Sequence, residues 1–314
     1  MDMYRELSSL CAELGFRAKT LYALSNSISR HYRTKETAKR SGGVRKLRIP
    51  DPLLKNVQRR IKDRLLAQEG ISPYAHAYRS GASTKKNAQG HTGKDMVMKL
   101  DIQSFFDNIT FAQVKERAFP EERYSEACRI LLTILCYDEE RLPQGAPTSP
   151  LICNIVMKDF DEKLGSWCAE RNVTYTRYCD DMTFSGSFDA DEVRRMTEEL
   201  LKKEGFFLNA KKTKVIYRSG RQTVTGLTVN DTVSVPLPFR KKIRSEIWYI
   251  RRFGLASHVL HTGIGDPDAY LRNLLGRINY VLSVTRTKEF TEYRKYLKKL
   301  IRTRNEKGGR HGSL

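Results

Sequence analysis

Hydrophobic and polar residues alternate along this chain with two periods, one typical of helices and one typical of strands. Between residues 51 and 70, apolar residues recur at helical spacing, namely Leu54, Val57, Ile61 and Leu65. Asp51 stands where a helix N-cap is expected, and Gly70 is expected to end this helix. The same kind of spacing predicts further helices over 3–14, 17–32, 126–136, 151–172 and 190–204.

Shorter segments rich in β-branched and aromatic residues predict strands between these helices. They are 44–50, a run from 95 that ends near Asp101, two strands flanking 179–181, and segments within 206–219 and 223–231. The order strand, helix, strand–turn–strand, helix, strand is typical of an antiparallel sheet with helices on one face. The sequence therefore predicts an α+β core.

From Pro236 onward the pattern becomes helical, after the interruption "VPLPF" at 235–239. Two apolar faces are predicted there, one from Ile243, Ile247 and Ile250 and one from Leu271, Leu274, Leu275 and Ile278. A boundary near 233–238 would separate the α+β core from a basic helical domain.

Charge indicates the class of partner. The 314 residues carry a net charge of +21, and 39% of them are hydrophobic, enough for a packed core. Residues 236–314 hold 18 Lys and Arg against 6 Asp and Glu. Such an excess favours nucleic acid as the partner, with a solvated basic surface as the alternative.

Several features favour a cytoplasmic protein without a membrane partner. No apolar run approaches the length that spans a bilayer, and the N-terminal residues lack a signal-peptide pattern. The six cysteines show no CxxC pair and no Cys/His metal spacing, so reduced thiols are expected.

The segment "TYTRYCDDMTFSG" at 174–186 places Asp180 beside Asp181 between two predicted strands. A turn could carry two aspartates merely as turn formers. However, Asp101 lies at the end of another predicted strand, and three converging carboxylates would repel one another strongly without a cation. Carboxylate oxygens suit Mg²⁺ better than zinc. The sequence therefore predicts two Mg²⁺ ions held by these three residues for phosphoryl transfer.

Ordered motifs around these aspartates make the chain resemble a reverse transcriptase over most of its length. "LDIQSFF" at 100–106 resembles the first catalytic block and matches its aspartate with Asp101. "LPQGAPTSP" at 142–150 resembles the template-and-nucleotide loop, and "YCDD" at 178–181 the Tyr-x-Asp-Asp hairpin. "GFFLNAKKT" at 205–213 resembles the next block, and "VRKLRIP" at 44–50 the fingers strand.

The resemblance implies substrate-binding roles for four further residues. Phe106 would clash with a ribose 2′-hydroxyl and so select dNTPs, although Phe106 could instead be a core aromatic. Gln144 would lie near the incoming sugar, and Arg45 would contact the phosphates. Lys212 would approach the triphosphate, a choice over its lysine neighbours that depends on the motif match alone.

Two short elements are similar to those of bacterial retron reverse transcriptases. "NAQGH" at 87–91 and "VTG" at 224–226 match their Asn-Ala-x-x-His and Val-Thr-Gly elements. The resemblance implies RNA binding by Asn87, His91, Thr225 and Gly226, and the basic tail adds Arg251 and Arg252. A loop histidine at His91 and a strand end or bulge at Thr225–Gly226 are the alternatives.

The fold implied is a right-hand polymerase with fingers, a palm containing an antiparallel sheet, and a helical thumb. The fingers would comprise 1–94, with part of 112–147. The palm would comprise 95–111 and 148–235, and the basic thumb 236–314.

The function implied is retron-type reverse transcription. Such enzymes use a dedicated structured non-coding RNA as template and primer, consume dNTPs, and make DNA linked to RNA through a branch. Their products usually act with an effector protein in anti-phage defence. The enzyme alternatives are an intron-like or an abortive-infection-type bacterial reverse transcriptase. The non-enzyme alternative is a basic RNA-binding protein with an inactive polymerase core.

Overall fold

The computed structural model describes residue 4 and residues 6–38, 42–263 and 265–308. The first elements along the chain are two helices and a hairpin: α1 (Leu7–Leu14), α2 (Ala18–Ser25), β1 (Tyr32–Ala38) and β2 (Val44–Pro50). β1 and β2 pair in antiparallel register, which confirms the strand predicted at 44–50.

Helix α3 (Pro52–Arg60) begins where the sequence predicts. The Asp51 carboxylate accepts a hydrogen bond from the Leu54 N–H at 2.8 Å, which satisfies one of the unpaired donors at the helix start. The helical path continues through a wider and then a tighter turn, and it ends at Gln68 rather than at Gly70. The predicted apolar face is buried at Leu54, Val57, Ile61 and Leu65.

A short helix, α4 (Thr84–Gln89), precedes a four-stranded sheet. The strands of this sheet are β3 (Met96–Asp101), β4 (Thr174–Tyr178), β5 (Asp181–Gly186) and β6 (Lys214–Tyr217). Their order is β4-β5-β3-β6, and β5 is antiparallel to both of its neighbours. Strand β3 is therefore adjacent to the hairpin formed by β4 and β5.

Helices between the strands bury apolar faces in one core with the sheet. They are α5 (Phe111–Ala118), α6 (Glu126–Cys136), α7 (Ser149–Val156), α8 (Lys158–Glu170) and α9 (Ala190–Lys203). The prediction of one helix over 151–172 is wrong, because the helix breaks at Met157. The guanidinium of Arg117 donates to the Val156 carbonyl, an external partner at the point where α7 ends.

The remaining elements are a small hairpin and three long helices. They are β7 (Thr223–Val224), β8 (Leu227–Thr228), α10 (Leu237–Thr262), α11 (Pro267–Val284) and α12 (Lys288–Gly308). Most of the predicted apolar positions are buried: Ile243, Ile247, Ile250, Leu271, Leu274 and Ile278. Leu275 is only partly buried. In the part of the chain that the structure describes, no helix is both long and apolar enough to cross a membrane.

Contacts divide the chain into two compact units. One comprises Met1–Ser83 with Asp95–Ile216, and the other comprises Thr84–Lys94 with Tyr217–Leu314. The predicted α+β class with an antiparallel sheet is confirmed. The division into fingers, palm and thumb stays a prediction, and the boundary predicted near 233–238 lies inside the second unit.

Candidate active site

The YCDD turn, formed by the four residues from Tyr178 to Asp181, joins β4 to β5. The ladder ends in the pair Tyr178–Asp181, which leaves Cys179 and Asp180 at the tip. Cys179 has a φ of 64°, a left-handed conformation that is uncommon for a residue with a side chain. Its thiol is buried, and the Tyr78 hydroxyl donates to the sulfur at 3.5 Å. The turn therefore holds its sulfur inside the protein.

Strand β3 brings Asp101 beside this turn. Asp101 lies directly opposite Asp181 in the ladder between β3 and β5. The backbone N–H of Ile102 donates to the carbonyl of Asp180 at 3.0 Å, so the tip of the turn is also tied to β3. The three acidic residues singled out from the sequence thus occupy neighbouring backbone positions.

The carboxylates disfavour one another's ionised forms. Burial raises the pKa of Asp101, and the charge of Asp180 raises it further, against the opposing effect of Lys212. Desolvation by the surrounding protein raises the pKa of Asp181, and the charges of Asp180 and Asp101 add to it. A site with this repulsion is stabilised by a nearby cation.

Lys212 supplies one cation from the protein itself. Its Nζ donates to Asp101 Oδ1 at 2.6 Å, and this hydrogen bond raises the pKa of Lys212. The backbone holds it in place, because the Asn209 N–H donates to the Asp101 carbonyl at 2.8 Å. Apart from the motif match, the sequence did not distinguish Lys212 from Lys211 and Lys214. The structure shows the contact with Asp101 at Lys212.

The donor chemistry fits a hard divalent cation, although the ligand set is not formed. Among the residues that the structure describes, no three His, Cys, Asp or Glu side chains converge as a group that could hold a metal ion. Carboxylate oxygens at adjacent strand ends, two of them on groups with a raised pKa, are nonetheless the donors such a cation takes. Asp101, Asp180 and Asp181 could therefore hold a metal once their side chains turn toward it.

A buried ion pair lies next to the YCDD turn, and the sequence pattern did not predict it. The side chains of Arg177 and Asp161 are fully buried, and Arg177 donates to both carboxylate oxygens at 2.8 and 2.5 Å. Arg177 Nη1 also donates to the Cys179 carbonyl at 3.0 Å. The Tyr175 hydroxyl donates to Asp161 at 2.8 Å, which leaves the carboxylate well satisfied. An arginine in a predicted strand whose other residues are uncharged was the available signal, since a buried charge requires a partner.

Phe106 and Gln144 lie on loops that are joined to each other and to β2. The Leu142 N–H donates to the Phe106 carbonyl at 3.1 Å, and the Arg48 N–H donates to the Gln144 carbonyl at 2.9 Å. Gly145 has a φ of 135°, and a Cβ there would stand 2.6 Å from the Arg48 carbonyl oxygen. The loop can approach β2 this closely only with glycine at that position.

The remaining predicted substrate residues differ in burial. Phe105 is buried in the core, whereas Phe106 is half-buried and meets the Phe105 ring edge-on at 5.6 Å between centroids. Arg45 is exposed on β2, opposite Thr37 of β1. The substrate contacts assigned to Arg45, Phe106 and Gln144 stay predictions.

The two short retron-like elements meet in the second unit. Thr225 and Gly226 form the tip of the β7–β8 hairpin with φ values of 47° and 80°, as a type I′ turn requires. Thr225 is β-branched, so this backbone conformation is strained. Its hydroxyl donates to the carbonyl of Thr84, at the start of α4, at 2.9 Å. The turn is a hairpin tip rather than a bulge.

Asn87 and His91, the other half of this pair of elements, are buried. Their exposed fractions are 1% and 0%, and neither the Asn87 Nδ2 nor its Oδ1 has a hydrogen-bond partner among the described residues. RNA contact by these two residues stays a prediction, and direct contact would require this part of the unit to open.

Arg251 and Arg252 are exposed on α10. The Arg251 guanidinium lies over two rings of α12, at 5.2 Å from the centroid of Tyr293 and 4.8 Å from that of Tyr296. Such contacts hold the Arg251 side chain against the helix pair. RNA contact by Arg251 and Arg252 likewise stays a prediction.

Comparison with known proteins gives one family match and several relatives. Residues 35–235 match the family described as "Reverse transcriptase (RNA-dependent DNA polymerase)". The chain is 38% identical over 269 residues to the retron Mx65 reverse transcriptase of Myxococcus xanthus, an alignment that covers 78% of this chain and 63% of that protein. It is 30% identical over 235 residues to the retron Ec83 reverse transcriptase of Escherichia coli, covering 70% of this chain and 75% of that one. The chain thus spans less than two thirds of the length of the Mx65 protein.

One solved structure with a similar fold is the foamy viral protease–reverse transcriptase in complex with double-stranded DNA. The TM-score is 0.52 at 16% identity, over 87% of this chain and 39% of that one. At this identity the likeness concerns the fold alone.

Proposed function

Because this chain belongs to the reverse transcriptase family, with bacterial retron enzymes as its relatives, we propose that it is a retron-type RNA-directed DNA polymerase. The observation that carries the proposal is the placement of Asp101 opposite the YCDD turn, within the segment that matches the family. The template and primer would be a dedicated structured non-coding RNA, and the substrates would be dNTPs.

Reverse transcriptases depend on divalent metal ions, and we propose two Mg²⁺ ions held by Asp101, Asp180 and Asp181. When bound, the ions neutralise charge on the attacking and leaving oxygens of nucleotidyl transfer. The Arg177 contact to the turn would keep Asp180 in place during each addition. Lys212, which now hydrogen-bonds to Asp101, would turn to the triphosphate and stabilise or protonate the leaving pyrophosphate.

The remaining substrate contacts follow from the chemistry of each side chain. Arg45 is exposed and offers a planar fork of donors to phosphate oxygens. The side-chain amide of Gln144 has donors and an acceptor for hydrogen bonds to the sugar or to the template strand. Its backbone is held against β2 by the hydrogen bond from the Arg48 N–H to the Gln144 carbonyl. The half-buried Phe106 ring would lie under the incoming sugar.

Replacing Phe106 by alanine should relax sugar selection. Loss of the ring removes the clash with a ribose 2′-hydroxyl, so the preference for dNTP over rNTP should fall by at least about 10-fold. The measurement is kcat/KM for dGTP and for GTP on one primer–template. Phe188→Ala serves as the control, since Phe188 is also half-buried but follows β5 at the end of the strand that is far from the YCDD turn. An unchanged preference in the Phe106 variant would remove the sugar-selecting role.

The product offers a test of the retron type. We propose that synthesis starts from a 2′-hydroxyl of the RNA, so that DNA and RNA remain joined by a 2′,5′ branch. DNA that co-purifies with the protein should then resist separation from RNA under denaturing conditions until a debranching enzyme is added. DNA that separates at once would favour an intron-like or abortive-infection-type enzyme. A complete absence of nucleic acid would also favour these alternatives over the retron type.

The proposal extends to biological context. We propose, as the resemblance to retron reverse transcriptases implies, that the product acts with an effector protein in anti-phage defence. We place this activity in the bacterial cytoplasm, where the six free cysteines would stay reduced.

A further inference from the structure

Helix α10 carries a group of large aromatic side chains on its solvent-exposed surface. Trp248, Tyr249 and Phe253 are 55%, 43% and 55% exposed. Their ring centroids lie 5.0 to 6.0 Å from one another, so the rings form one continuous surface. We call these three residues the aromatic platform. Large exposed apolar groups arranged in a cluster mark a binding site more often than isolated ones do.

A break in the helix brings a further ring against the platform. Gly254 has φ 81° and ψ 159°, a conformation essentially restricted to glycine. The break turns the helix back, so that the His258 ring stacks on Tyr249 at 6.0 Å and 18°. In a straight helix, nine residues would separate these two positions by about 13.5 Å along the axis. Gly254 therefore allows the His258 ring to stack on Tyr249 of the platform.

Hydrogen bonds fix this supporting ring. The Tyr270 hydroxyl donates to a carboxylate oxygen of Glu246 at 2.9 Å and accepts from His258 Nε2 at 2.9 Å. Arg277 pairs with the same carboxylate of Glu246. His258 is buried, and its orientation is set by partners on two helices. This hydrogen-bond network therefore fixes the His258 ring that stacks on Tyr249 of the platform.

Positive charge flanks the platform on the same exposed surface. Arg252 lies one helical turn from Trp248, and Lys241 lies two turns before it. Lys242 stands in the same relation to Tyr249, and all three basic residues are exposed. Rings interleaved with cations suit a polyanion whose own rings can stack, which describes nucleic acid.

We propose that the aromatic platform is a stacking site for unpaired bases of RNA. Bases within an A-form duplex have their faces covered by neighbours, and a helix surface cannot read the narrow major groove. Bases in a loop, bulge or single strand leave a face free for Trp248 or Phe253, and the flanking cations contact the adjoining phosphates. The proposal rests on the proposed function and deepens it, because it assigns to the structured RNA a binding site in the second unit that does not include the acidic residues.

Binding of two RNA probes to the full chain tests the platform. One probe is a fluorescein-labelled hairpin with an eight-nucleotide loop, and the other is a blunt duplex with the same stem. Trp248→Ala and Phe253→Ala should each weaken hairpin binding about 5- to 150-fold and leave duplex binding unchanged. Trp248→Phe should retain most of the affinity, because a ring remains. Leu260→Ala is the control, since Leu260 is the most exposed apolar residue of the same helix but has no ring.

Stacking has a second, spectroscopic signature. Hairpin binding should quench the indole fluorescence of the wild-type chain, and Trp248→Phe should abolish most of that quenching while Trp167→Phe retains it. Equal loss of hairpin and duplex binding in Trp248→Ala would overturn the proposal in favour of a general charge effect. If Trp248→Ala lost binding to vesicles rich in anionic lipid but kept its hairpin binding, the proposal would be overturned in favour of a membrane-binding surface.

Failure of the platform and failure of the proposed function give different results. Incorporation of dNTPs on a supplied RNA template with a DNA primer reports the polymerase centre and does not require a loop. A chain that incorporates dNTPs but binds hairpins equally with and without Trp248 disproves the platform alone. A chain that incorporates nothing disproves the polymerase, whatever its hairpin affinity.

Discussion

Asp180→Asn should reduce dNTP incorporation by more than about 100-fold while RNA binding persists. The substitution keeps size and shape but removes one of the three carboxylates that gather beside β3, so the divalent cation loses a charged ligand. Because Asp180 raises the pKa of both Asp101 and Asp181, its neutralisation also relieves repulsion, and thermal stability in EDTA should not fall. A site that loses activity without losing stability is a functional site.

The measurements for this variant are primer extension, affinity for a structured RNA, and the unfolding temperature with and without Mg²⁺. Mg²⁺ should stabilise the wild-type chain more than the variant, since only the folded site binds the ion tightly. Asp159→Asn is the matched control, because Asp159 is an exposed carboxylate on α8 and is not one of the three acidic residues. Near-normal incorporation by Asp180→Asn would contradict the assignment of the acidic residues.

Arg177→Lys should be the most damaging substitution outside the acidic residues themselves. Lysine keeps the charge but cannot bond both Asp161 oxygens and the Cys179 carbonyl at once. Removing one partner of a fully buried ion pair costs about 3–5 kcal/mol, which is an upper limit for a lysine that keeps the charge. The lost hydrogen bond to Cys179 also frees the strained turn that carries Asp180. We therefore expect a lower free energy of unfolding and a lower kcat for incorporation.

A split in kinetic constants separates positioning from general destabilisation. At a temperature where Arg177→Lys is still folded, kcat should fall while the KM for dNTP and the affinity for RNA stay near wild type. Asp161→Asn should show the same split, because it leaves the arginine without its counter-charge. Arg171→Lys is the control, since the ion pairs of Arg171 with Glu170 and Glu192 are exposed, and the median contribution of such pairs is about 0–1 kcal/mol. A proportional loss of activity and folded fraction, with unchanged kcat per folded molecule, would assign Arg177 to stability alone.

Two unusual backbone conformations also lie in the second unit, at Thr225 and Gly254. Thr225 holds a strained turn and bonds to α4, and Gly254 breaks α10 so that an aromatic ring moves beneath Tyr249. The strained Thr225 backbone is held by a contact distant in sequence, whereas the Gly254 conformation is one that glycine adopts without a side-chain clash.

The sequence by itself determined the reverse transcriptase resemblance, the α+β class and most strand and helix positions. Local rules suffice for these: the Asp51 cap, the helical spacing after it, and the short strands on either side of Cys179. The family match over 35–235 and the retron relatives confirm the resemblance.

Only the tertiary structure decided which side chains meet. The pairing of Arg177 with Asp161, the contact of Lys212 with Asp101, and the hydrogen bond from Thr225 to Thr84 join residues on separate elements. Periodicity fixes the face on which a residue lies, but not its partner, because the partner depends on how elements pack across the core. The break of the predicted helix at Met157 likewise coincides with a contact between separate elements. There the Val156 carbonyl accepts a hydrogen bond from Arg117 of α5.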